Sequence, residues 1–214
     1  MPRLRFFNGS SIPGLRLALN DVPLEATGTP TADFGQTVAY HTVPDGIASL
    51  SARTGLPGEA SFATAPDIAL TEGDRYTAYA AGSESHRTLF TARDTHYTDS
   101  GALSLYVQVV DALDGEGTHY AMVYRNEEWA LSAIFDARAG TGFADLRAPY
   151  GLPTPIRYSV RLNTDGTGNT PIGERFVFDI DTRNPVTVVM YGSPHAPKFA
   201  VLKGTYLNLP SEVR

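Results

Sequence analysis

Asp74 to Phe90 reads DRYTAYAAGSESHRTLF, and Asn184 to Ala200 reads NPVTVVMYGSPHAPKFA. At a shift of 110 residues, Thr77 falls on Thr187, Gly82 on Gly192 and Ser83 on Ser193. His86 and His195 follow the two Gly-Ser pairs at nearly equal distance. Each copy is a run of β-formers, a Gly-Ser turn, a polar tip and a second run of β-formers. That pattern predicts a β-hairpin. A chain that carries the same hairpin twice predicts two copies of one hairpin-ended unit.

The rest of the chain follows the same punctuation. Leu15, Leu17 and Leu19 alternate with Arg16 and Ala18, the pattern of a half-buried strand. Thr37 to Val43 reads as a strand, Pro44-Asp45-Gly46 as a turn, and Ile47 to Arg53 as its hairpin partner. Ser61 to Leu70 reads as a strand interrupted at Pro66, which proline confines to an edge or a bulge. Leu105, Val107 and Val109, then Tyr120, Met122 and Tyr124, then Tyr158, Val160 and Leu162, alternate again. Glu127 to Arg138 has the only case for a helix, although a strand fits Leu131 to Phe135 as well. Short strands with Gly, Pro, Asn and Asp between them predict an all-β protein of two tandem antiparallel β-sandwich domains. The expected division is 1–95 and 103–206, with a linker at 96–102 and a tail at 207–214.

Composition narrows the function classes. The chain has 214 residues, 42% of them hydrophobic, enough for two cores. No apolar run approaches the roughly 20 residues of a membrane span. The absence of cysteine excludes disulfides, thiolate metal sites and a cysteine nucleophile. A net charge of −6, with lysine only at Lys198 and Lys203, argues against nucleic acid as a partner. Met1-Pro2-Arg3 leads straight into a strand pattern, so the expectation is either a cytosolic protein or an exported one written without its leader.

With its strands laid out, the chain resembles the domain-of-unknown-function family numbered 4397. The shared pattern appears at Leu4–Asn8, Leu15–Asp21, Val38–Gly46 and Gly73–Gly82. It returns at Leu105–Asp111, Tyr120–Asn126 and Val186–Ser193. The family's usual His-Ala-Ser-Pro after the first strand stands in neither half. The resemblance implies immunoglobulin-like sandwiches and an extracytoplasmic, cell-envelope or surface location. It implies no catalytic residue.

Four groups of residues are candidates for function. The hairpin tips offer Ser83, Glu84 and His86, and Ser193 and His195, for binding an envelope protein or glycan. Trp129 and Tyr150 fall outside clean strands, where an aromatic can stack on a sugar. The five histidines are His41, His86, His96, His119 and His195, with none at metal-helix spacing. A copper site of His86, His195 and His119 would have to be assembled across strands, as in a redox enzyme resembling a superoxide dismutase. Asn163, Asp165 and Asn169, with Gly166 and Gly168 between them, offer oxygen ligands to calcium, as Asp111, Asp114 and Glu116 do in another loop. Neither loop matches the EF-hand consensus, and turns use the same residue types for their own sake. The expectation is a binding module without cofactor; copper or calcium is the alternative. Asn8-Gly9-Ser10 fits a glycosylation sequon and also a plain turn.

Overall fold

The computed structural model describes residues 1–24, 31–54, 61–97, 104–114, 119–125, 131–136, 143–147, 156–165, 167, 169–180, 185–203 and 205–207. Trp129, Tyr150, Glu116, Gly166 and Gly168 lie outside them, as does most of the predicted linker. The side chains of residues 95–97, 104–106, 131–136, 143–147 and 205–207 are also outside the description. The protein is all-β, in several sheets, with no helix among the described residues. The segment with a case for a helix contains a strand, Leu131–Asp136.

The first half forms a five-stranded and a four-stranded sheet. In one, β1 (Arg3–Asn8) lies between β4 (Gln36–Thr37) and β8 (Arg75–Gly82), and β8 pairs with β9 (Arg87–Arg93). The short β5 (His41–Thr42) also pairs with β1. In the other, the order is β3 (Val22–Pro23), β2 (Leu15–Leu19), β6 (Gly46–Thr54), β7 (Ser61–Leu70). Every pairing here is antiparallel except β1 with β8, which runs parallel with Arg5 beside Thr77.

The second half repeats this order for eight strands, with no counterpart of β5 among the described residues. One sheet is β14 (Phe143–Arg147), β11 (Ser104–Leu113), β17 (Val186–Ser193), β18 (Ala196–Lys203). The other is β13 (Leu131–Asp136), β12 (Tyr120–Arg125), β15 (Ile156–Asn163), β16 (Pro171–Ile180). The fourth, first, eighth and ninth strands thus correspond to β14, β11, β17 and β18. The third, second, sixth and seventh correspond to β13, β12, β15 and β16. A two-stranded parallel sheet joins β10 (Thr95–Tyr97) to β19 (Thr205–Leu207). By contacts the chain divides into two compact units. One is Met1–Arg93 with Ala112–Gly115 and Tyr191–Ser193; the other is Asp94–Asp111, Glu116–Met190 and Pro194–Arg214.

In the first unit a single core lies between the two sheets. Leu4, Phe6, Tyr76, Ala78, Ala80 and Leu89 come from one sheet, and Leu15, Leu17, Leu19, Leu50, Phe62 and Ala65 from the other. Each fully buried Leu or Phe contributes about 1.5–3 kcal/mol by removal from water. In the second unit Val107, Val109, Val123, Tyr158, Val160, Leu162, Val188 and Met190 are buried. Burial of the Tyr158 ring pushes its phenol above the usual tyrosine range, partly countered by the Arg125 charge.

Two local expectations hold and one is corrected. Pro66 stands in β7, an edge strand, at a bulge where Ala48 faces Ile68 and Leu50 faces Ala65. The extra residue includes Asp67 at φ 57, so the edge twists away from further pairing. The repeated stretches form hairpins, with Gly82 at φ 93 and Gly192 at φ 87. The predicted strand Thr37–Val43 is instead two short strands, both on β1. Ile47–Arg53 is therefore no hairpin partner of that segment; β6 pairs with β2 and β7. Pro44-Asp45-Gly46 carries the chain from one sheet to the other. Turn residues set the local reversal and not the partner of the next strand.

Candidate functional site

The two hairpin tips differ in build. In the first, β8 ends at Gly82, which pairs with Arg87, and four residues span the gap. The Ser83 amide donates to the His86 carbonyl at 3.0 Å and closes the tip. Ser83 Oγ and Ser85 Oγ stand 3.0 Å apart, and Ser85 Oγ lies 3.2 Å from His86 Nδ1. Arg87 Nε donates to the Glu84 carbonyl at 3.1 Å, and its guanidinium lies 5.6 Å from the centre of the Phe62 ring. Glu84, Ser85, His86 and Arg87 are exposed. The tip is thus a fixed backbone loop with a carboxylate, hydroxyls and an imidazole facing water. In the second hairpin, Ser193 still belongs to β17, and only Pro194 and His195 lie between the strands. Ser193 and His195 are exposed there.

The remaining histidines lie in or beside other strands. His41 sits in β5 and His96 in β10. His119 Nδ1 lies 2.8 Å from Asp111 Oδ2, and both side chains are largely buried. Among the described residues, no three of His, Asp and Glu gather closely enough to share a metal ion. The His119–Asp111 contact has a counterpart in the first half. Asn8, at the end of β1, is buried and donates through Nδ2 to the carbonyls of Ile12 at 2.8 Å and Ala32 at 2.9 Å. Its Oδ1 accepts from the Ser10 amide and hydroxyl. Asn8 ties down the turn after β1, and Asp111, near the end of β11, contacts His119, which precedes β12. The sequon Asn8-Gly9-Ser10 is therefore a buried turn whose amide nitrogen is already engaged.

The calcium-type loop is also a self-contained turn. Asp165 Oδ1 accepts from the Thr167 amide at 2.8 Å, the Thr167 hydroxyl at 2.6 Å and the Asn169 amide at 3.3 Å. Asn169 Nδ2 donates to Thr167 Oγ1, and the buried Asn163 donates to the Arg161 carbonyl. The Thr167 and Thr170 hydroxyls, then the amides of Thr167 and Asn169, hold the Asp165 carboxyl well below the usual carboxylate range. A carboxylate held down in the folded state stabilises the fold above its unfolded value, 3.8, and loses that effect as pH falls below it. Asp165→Asn is therefore expected to lower stability at pH 6. Its difference from wild type should shrink progressively below about pH 4 in urea melts. A difference constant from pH 6 to pH 2.5 would contradict the turn's hydrogen bonding.

One cluster lies outside the four groups of candidate residues. Ser159 and Arg161 of β15 face Tyr124 and Met122 of β12 across the sheet, with the Arg175 guanidinium 4.7 Å from the centre of the Tyr124 ring. A signal for it was present. Ser159-Val160-Arg161 repeats Ser51-Ala52-Arg53 at a shift of 108 residues.

No family model and no curated protein matches the chain. It is similar to a solved structure described as "Alpha-glucan binding by a streptococcal virulence factor", at 10% identity over 93% of this chain and 96% of that one. The TM-score of that match is 0.29, which bears on neither the fold nor the function of this chain.

Proposed function

We propose that this protein is a non-enzymatic cell-envelope or surface module that binds a protein or glycan partner through its hairpin tips. The observation that carries this reading is the first tip. Ser83, Glu84, Ser85 and His86 present polar groups to water on a loop fixed by its own hydrogen bonds, between the buried β8 and the edge strand β9. A pre-ordered loop loses little entropy on binding. The strand order, repeated in the two halves, supports two tandem immunoglobulin-like sandwiches, a scaffold that carries binding loops at its ends. The extracytoplasmic location follows from the resemblance to family 4397.

The test is retention of envelope proteins and glycans on the immobilised full chain. The comparison is with a variant in which Ser83, Glu84, His86, Ser193 and His195 are all alanine. The expected result is a partner enriched by wild type and lost by the variant, with both unfolding at the same urea concentration. Equal retention by both would refute binding through the tips.

A further inference from the structure

Two arginines stand directly opposite each other in the β2–β6 pair, Arg16 and Arg53. They lie on the face away from the core, which Leu15, Leu17, Leu50 and Ala52 line. Arg53 is satisfied there: its Nε donates to Ser51 Oγ at 3.1 Å, and its guanidinium pairs with Asp21. Arg16 is not. It is half-buried, its Nε is covered without a hydrogen-bond partner, and among the described residues nothing engages the rest of its guanidinium. Its terminal nitrogens are not covered, so a group from outside can reach them. Like charges directly opposite on a sheet repel, and a half-buried donor without a partner costs stability. The scaffold requires neither cost. At the matching register position of the second unit, Met122 faces Arg161 in place of an arginine pair.

We propose that Arg16 and Arg53 form a binding site for a carboxylate. Charge limits the ligand first. Two guanidiniums and the Asp21 carboxylate leave one positive charge, which one negative charge balances. Shape limits it next. The two terminal nitrogens of a guanidinium lie in one plane and match the two oxygens of a carboxylate. Arg16 supplies that pair of donors. Arg53, held by Ser51 and Asp21, adds its charge from across the strand pair. Asp21 is 86% exposed and opposes any anion that approaches, so its carboxylate sets an upper limit on the affinity. The site shares no residue with the hairpin tips, so either reading can fail without the other.

The experiment is titration of the full chain at pH 7 with sodium acetate and with sodium galacturonate, against sodium chloride at the same ionic strength. Arginine side-chain NMR signals report the binding. The expected result is movement of the Arg16 and Arg53 signals with the carboxylates and not with chloride. Tighter binding of galacturonate than of acetate assigns the carboxylate to a sugar, and equal binding assigns it to a free acid. Arg16→Met installs the second unit's residue. It should weaken binding about tenfold or more and leave the urea midpoint in chloride unchanged or higher, because the like-charge pair is gone. Asp21→Asn should strengthen binding several-fold. Asp21 has φ 66, which asparagine also adopts, so this variant keeps the test open should Arg16→Met fail to fold. Arg3→Met, at an exposed arginine of the other sheet, should leave binding unchanged. The proposal is overturned if chloride moves the Arg16 signals as acetate does, the pair then attracting a diffuse counterion only. It is equally overturned if Arg16→Met binds as wild type does, or if Asp21→Asn binds no more tightly.

Discussion

Gly82→Ala is expected to destabilise the protein by about 3–5 kcal/mol, at the upper end of single-residue effects. Gly82 has φ 93, where an L side chain is strained whatever the space around it. A Cβ there would also overlap the His86 carbonyl oxygen, the same atom that accepts the Ser83 amide and closes the tip. The obstacle is backbone, so no rotamer change relieves it; the hairpin must reopen. Gly46→Ala provides the comparison. Gly46 has φ 114 but nothing within 4 Å of an added Cβ, so only backbone strain remains, about 1–2 kcal/mol. Urea unfolding of both variants checks this. Equal losses would mean that the Ser83–His86 closure does not hold the tip.

The second large effect is expected at the polar pairs buried inside each half. Arg5 Nε donates to Thr77 Oγ1 at 2.7 Å in the first, and Thr187 Oγ1 donates to Gln108 Oε1 at 3.1 Å in the second. Thr77 and Thr187 occupy the same place in β8 and β17, and Arg5 and Gln108 occupy it in β1 and β11. All four are buried. Removing the hydroxyl while keeping the shape leaves a charged donor in one case and a neutral acceptor in the other. Thr77→Val should therefore cost about 2–3 kcal/mol and Thr187→Val about 1 kcal/mol. Adding Arg5→Met to Thr77→Val should recover part of the loss, because no buried charge is then left without its hydroxyl. A larger loss from Thr187→Val than from Thr77→Val would contradict this account of the two interiors.

The sequence made some of this legible, for reasons that can be stated residue by residue. Gly82 and Gly192 were readable because a hairpin turn of this kind requires positive φ and few residues supply it. The alternation at Leu15, Leu17 and Leu19 was readable because one face of β2 meets the core. Pro66 was readable because proline cannot pair inside a sheet. The partner of β6 was not readable. Which strands pair is decided by non-local packing, and Pro44-Asp45-Gly46 carries no record of it. Arg5 and Gln108 were also hidden: a polar residue alternating with Leu4 and Phe6 reads as facing water, yet both are buried. The candidate site shared this blindness. Exposed, polar tips attracted attention at Ser83 to His86, while Ser159 and Arg161 passed as the wet face of a strand. Ser159 is nevertheless buried, as its counterpart Ser51 in β6 is.

The account rests on the correspondence between the two halves, and cross-strand nuclear Overhauser contacts test it most directly. The predicted result is that Ala18 contacts Ser51 and Tyr124 contacts Ser159, the matched register positions of β2–β6 and β12–β15. A slip of one residue in either pair would turn its side chains to the opposite face. Contacts of Ser159 with Val123 or Arg125 in place of Tyr124 would contradict the duplicated architecture.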